Sequence, residues 1–141
     1  MALLQLCLLG VSIFLDVEDL EDISALESYI EASAVVLIFI SKSYFLSRNC
    51  QRELRATASA MKPVVLVHEA DPAKGGISLQ LAMDECPEDI RSFVFQGRTP
   101  IRWHRVVVFQ RYSLKLIAEA LLLGCPMYLG KQSLRSSVYS F

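Results

Sequence analysis

The chain has 141 residues, and at the usual roughly 100–200 residues per domain this is one domain, with no room for a multidomain machine. Hydrophobic residues make up 53% and charged residues 21% at a mean hydropathy of +0.39, which excludes disorder over most of the chain and predicts elements buried on more than one side. Fourteen Lys and Arg against fifteen Asp and Glu leave a net charge of -1, so the basic footprint of a general nucleic-acid binder is missing and no nucleic-acid partner is expected.

Residues 1–15 are apolar and uncharged, but too short to span a bilayer, which takes about 20 residues. They also lack the basic start of a signal peptide. Residues 11–15 read as a short strand that ends at the acidic loop 16–22. Ile23, Leu26 and Ile30 recur at helical spacing, and the helix gives way to residues 34–40, Ala-Val-Val-Leu-Ile-Phe-Ile. Such an unbroken run, rich in β-branched and aromatic side chains, predicts a strand buried on both faces.

Ser47 is a candidate N-cap for a helix whose stripe is Cys50, Leu54, Thr57 and Met61. Pro63 then opens a strand at residues 64–67. Residues 71–76, Asp-Pro-Ala-Lys-Gly-Gly, read as a loop. Ser78 is placed to cap a short helix that runs through Cys86 and stops at Pro87, and residues 88–95 can form a further turn. A short extended segment follows around residues 101–103. The last helix is expected over residues 106–123, with Phe109, Leu114, Ile117 and Leu121 near one face and Gly124 as its stop. Residues 125–141 are Ser-rich, with little periodicity, and read as a tail.

The alternation of apolar runs and amphipathic helices predicts an α/β protein with a parallel sheet. Cys7, Cys50, Cys86 and Cys125 lie 43, 36 and 39 residues apart with no His at ligand spacing, so neither a metal site nor a disulfide framework is expected. A reduced, cytoplasmic setting follows, including that of a cytosolic part of a larger protein. Gly75-Gly76 lacks the spacing of a phosphate loop. Charge is segregated: Asp16, Glu18, Asp19, Glu21, Asp22, Glu27 and Glu31 precede the first base, Lys42, whereas Arg91, Arg98, Arg102, Arg105, Arg111 and Lys115 fall in a stretch without an acid between Asp89 and Glu119. These are either two solvated faces or complementary surfaces for assembly.

The most informative block is residues 39–54, Phe-Ile-Ser-Lys-Ser-Tyr-Phe-Leu-Ser-Arg-Asn-Cys-Gln-Arg-Glu-Leu. It resembles the strand-to-helix junction of plant-like or protist-like TIR (Toll/interleukin-1 receptor) domains, commonly F-S-K-x-Y-x-x-S-x-W-C-L-x-E-L. Ser41, Lys42, Tyr44, Ser47, Cys50, Glu53 and Leu54 fall in that register without a gap. Phe14-Leu-Asp16 is similar to the family's second strand and the start of its loop, and Ile30-Glu-Ala-Ser33 to the helix end before its third strand. The resemblance assigns residues 1–124 to a TIR-like domain of flavodoxin-like, three-layer parallel-sheet fold. The family's opening strand has no counterpart before residue 11. The expectation is therefore a domain truncated at the N-terminus, as in a fragment or an incomplete gene model, or one that takes the strand from elsewhere.

The resemblance implies signalling by association with other TIR domains, as homo- or hetero-oligomers. The alternative is hydrolysis or cyclisation of NAD+, which would be a substrate, with no cofactor required. In the NAD-cleaving branch the glutamate matching Glu53 is catalytic, and Asp16, Ser47 and Cys50 would line the nucleotide site. Cleaving the nicotinamide–ribose bond builds positive charge on the ribose, which a carboxylate stabilises.

Each residue also has a plain structural reading. Glu53 fits a solvated helix acid beside Arg52 and Arg55, Ser47 an N-cap, Cys50 a small core residue, Tyr44 and Trp103 packing, and His68 a satisfied structural histidine; His104 reads as exposed among arginines. Two positions depart from the pattern: Asn49 replaces the family's Trp, and loop 16–22 lacks its usual glycine. A receiver-like domain is disfavoured, because the first strand's acidic pair is missing and Asp16 follows the wrong strand.

Overall fold

The structure is a computed structural model and describes residues 25–125. The expected strand at residues 11–15, Asp16 with its acidic loop, and residues 126–141 of the tail lie outside the described residues.

Leu26 and Ile30, one helical turn apart and both buried, set the inner face of α1 (Leu26–Ala32). The helix ends at Ser33, whose hydroxyl donates to the Tyr29 carbonyl at 2.7 Å. The apolar run that follows becomes β1 (Val36–Ile40). Its alternation is sharper than an unbroken apolar sequence suggests: Val36, Ile38 and Ile40 are buried, while Leu37 and Phe39 are half-buried. Both faces of the strand are covered, one more fully than the other, since a strand's side chains alternate and its two faces meet different layers.

A 3₁₀ turn, Tyr44–Leu46, precedes α2 (Arg48–Ser59). Leu54 and Thr57 form the buried part of the α2 stripe. Met61 does not extend it. The helix has already ended, Met61 takes a left-handed φ of 51°, and its side chain is 86% exposed, a common way for a helix to stop. Next, β2 (Val64–His68) pairs in parallel with β1 from Val36↔Val64 to Ile40↔His68.

The loop after β2 is a capped turn. Asp71 Oδ1 accepts from the Ala73 N–H at 2.9 Å at the start of the 3₁₀ segment Pro72–Lys74, and Gly75 closes it at φ 77°. Gly76 is required by space: a Cβ there would lie 2.5 Å from the Asp71 nitrogen, closer than atoms can pack. Ser78 caps α3 (Leu79–Glu85), as its sequence position implies. Glu88–Phe95 is a helix of eight residues, α4, where only a turn was expected; Ile90 and Val94, one turn apart, are buried and hold it to the core. β3 is only Ile101–Arg102, parallel to β2 through Val67↔Ile101. Finally, α5 (Val107–Gly124) includes Gly124, with Cys125 as its cap, so that glycine is the last helical residue instead of the stop.

Among the described residues the sheet order is β1-β2-β3, all parallel, with five α-helices. One face carries Val36, Ile38, Ile40 and Leu66 against Phe45, Leu54, Ile77, Ala82, Cys86, Ile90 and Val94. The other carries Val65 and Val67 against Leu114 and Ile117 of α5, with Leu37, Phe39, Ile101, Trp103 and Leu121 at the margin. Helices therefore cover both faces, and the chain is a mixed α/β protein compatible with a flavodoxin-like arrangement. Each fully buried Ile, Leu or Phe contributes about 1.5–3 kcal/mol. Phe109 is 56% exposed, so it is not part of the α5 core face; Ser113 occupies that face instead, donating to the Arg102 carbonyl at 2.6 Å. No helix among the described residues is long and apolar enough to cross a membrane.

Candidate functional site

Parallel α/β sheets bind ligands beyond the carboxyl ends of their strands, and two groups of polar side chains gather there. The first follows β1. Ser43 adopts a left-handed φ of 65°, which turns the chain and places Tyr44 at the mouth of α2. Ser47 Oγ accepts from the Cys50 N–H at 3.4 Å, so the expected cap is present. Three residues beyond Cys50, Glu53 lies on the same side of the helix. The Tyr44 hydroxyl donates to Glu53 Oε2 at 3.3 Å, and both residues are half-buried.

The arginines flanking Glu53 have partners elsewhere. Arg52 forks onto both Glu27 oxygens at 2.7 Å, and Arg55 onto both Asp89 oxygens at 2.9 and 3.1 Å. Hydrogen bonding to Arg52 holds the Glu27 carboxyl below its usual range, and Arg55 does the same for Asp89. A groove of about 640 Å³ between α1 and α2 is lined by Glu27, Arg48, Arg52 and Arg55, among others; the ion pairs of Arg52 with Glu27 and of Arg55 with Asp89 tie α1 and α4 to α2. Glu53 therefore sits with Tyr44, Ser47 and Cys50 around the start of α2. Cys50 is half-buried, less enclosed than a core residue. Asp16 is outside the described residues.

The second group follows β2 and β3, and it was missed in the sequence. Glu69, directly after β2, has a carboxylate only 1% exposed. Its Oε1 accepts from the Asp71 N–H at 3.0 Å, and its Oε2 takes the Nε of Arg105 at 2.8 Å and the Nη2 at 2.6 Å. Beside it, buried His68 places Nε2 2.5 Å from the Ile77 carbonyl oxygen, the structural reading made for it. His104 is half-buried, not exposed: its ring lies 5.7 Å from that of Phe109, and its backbone N–H donates to Ser113 Oγ. Trp103 packs edge-on against Phe39 at 6.5 Å, as a core residue does. The signal for this group was a charged residue ending a buried strand, which becomes legible only once the β2–β3 register brings residues 69 and 103–105 together.

Among the described residues no group of three or more His, Cys, Asp or Glu could hold a metal ion. Cys86 is buried, and that burial pushes its thiol up to about 11, the opposite of a nucleophile's environment. Comparison with protein-family models, curated proteins and solved structures returned no match.

Proposed function

We propose that the chain is a TIR-type signalling module of the cytoplasm that works by associating with other TIR domains. The observation that carries this reading is the surface at the start of α5. Val106, Val107, Val108, Phe109 and Tyr112 are each more than half exposed, and Arg102, Arg105 and Arg111 are exposed around them. An apolar centre with a charged rim is the make-up of a protein interface, and the acidic stretch of residues 16–31 supplies the opposite charge on a second copy. Sedimentation of the full chain tests this. Val108→Asp, or charge reversal at Glu18, Asp19 and Glu21, is expected to dissociate the assembly, the charge variants most clearly at low salt. Unchanged sedimentation in both would remove the reading.

A second reading, cleavage of NAD+ to nicotinamide and ADP-ribose with water as acceptor, is favoured by the Tyr44–Glu53 contact at the carboxyl end of β1. The Tyr44 hydroxyl on one carboxylate oxygen orients Glu53, and a carboxylate so placed would stabilise the positive charge that builds on the ribose. Nicotinamide release from NAD+ is the assay, and Glu53→Gln is expected to abolish it in assembled protein. Release at the unaltered rate would rule out Glu53 as the catalytic residue.

A further inference from the structure

The cleft beyond the carboxyl ends of β2 and β3 borders the proposed assembly surface through Arg102, Arg105 and Val106 and has no role in the cleavage of NAD+. It encloses about 380 Å³ and is lined by Glu69, Asp71, Arg102, Trp103, His104 and Arg105, among others. Both acids facing it are engaged. Asp71 caps its own turn through Ala73, and Glu69 is held by Arg105 and the Asp71 N–H. The cations are not used up. Of the five N–H donors of a guanidinium, Arg105 commits Nε and one Nη2 hydrogen to Glu69, and its side chain remains 45% exposed. Arg102 makes no ion pair among the described residues and is exposed. The first turn of the 18-residue α5 adjoins through Val106, with no side-chain cap and no acid.

We propose that this cleft binds a phosphate group. A buried carboxylate that fixes one face of an arginine pre-orients the other, and removes most of the ordering cost of binding. Arg102 comes from a different element than Arg105, so donors reach the cleft from more than one direction. That suits a tetrahedral oxyanion better than a planar carboxylate, which a single guanidinium fork satisfies. The ligand is inorganic phosphate or the phosphate of a small ester such as a nucleotide.

Trp103, the chain's one tryptophan, lines the cleft and reports on it. The full chain is titrated at constant ionic strength with inorganic phosphate, a nucleoside monophosphate, the parent nucleoside and acetate, following Trp103 emission. A saturable change is expected with the two phosphates and none with nucleoside or acetate; tighter binding of the nucleotide identifies an ester as ligand, and equal binding identifies free phosphate. Arg102→Gln is expected to raise the half-saturating concentration about tenfold or more, the cost of one charge-assisted contact. The pair Glu69→Gln/Arg105→Gln, which leaves no buried charge alone, is expected to abolish saturation while the far-ultraviolet spectrum stays native. No saturation in the parent chain, an equal response to acetate, or unchanged saturation in both variants overturns the proposal.

Discussion

Glu69 and Arg105 stand 36 residues apart in the chain and meet at 2.6 Å, the carboxylate buried and the guanidinium half in solvent. Arg105→Ala strands a charge that water cannot reach, at a cost of roughly 2–4 kcal/mol. The double change Glu69→Gln/Arg105→Gln should be milder, because no charge is left unpaired. Chemical denaturation of the three chains checks this: the single variant is expected to lose more stability than the double.

The Ser47 cap allows a local prediction. Ser47→Ala removes the acceptor for the Cys50 N–H and should cost about 1 kcal/mol, with Ser47→Gly only a few tenths. The two effects are separable by urea melts. Because the bond is long at 3.4 Å, the Ala variant belongs at the lower end of the range.

Gly76→Ala is expected to be the more damaging of the two changes in the Gly75-Gly76 turn. At Gly75 a Cβ meets nothing within 4 Å, and only its φ of 77° resists substitution, whereas at Gly76 a Cβ would strike the backbone of Ala70 and Asp71 at 2.5–2.6 Å. None of these three backbone atoms can yield without moving the turn that carries Asp71. A larger fall in melting temperature for Gly76→Ala than for Gly75→Ala is the expected result.

Cys86 should resist alkylation in the native chain at pH 8 and react once the chain unfolds. Its thiol titrates near 11 when folded, against an ordinary 9.0, because burial penalises the thiolate. The folded state thus keeps its proton where the unfolded state has lost it. This contribution to stability is complete below pH 9 and is lost as pH rises towards 11. Mass mapping of labelled cysteines across that range checks both statements, and labelling of native Cys86 at pH 8 would contradict them.

Much of the framework could be read from residue order. The run at 34–40 announced a strand, and Ser47 and Ser78 announced helix starts, because caps and apolar runs act over a few residues. Exposure of Met61, which follows from α2 ending at Ser59, and of Phe109 could not be read this way. Helical spacing places a residue on a face, but what that face meets depends on where the neighbouring strand stops, and β3 is only two residues long. The Glu69–Arg105 pair was hidden for the same reason, since it exists only through strand register. By contrast, the Tyr44–Glu53 contact lies within one turn and helix, and its two residues stood together in the block that carried the resemblance.

One backbone hydrogen bond joins the two ends of this arrangement. The Lys42 N–H donates to the Gly75 carbonyl at 2.9 Å, fastening the turn that leads to Tyr44 onto the turn that follows Glu69 and Asp71. A ligand that shifts either turn must stretch or relax this bond. Solvent exchange of the Lys42 amide therefore reads both groups at once: slowed exchange on adding phosphate, or altered exchange in Glu53 variants, would measure how tightly the two carboxyl-end loops move as one.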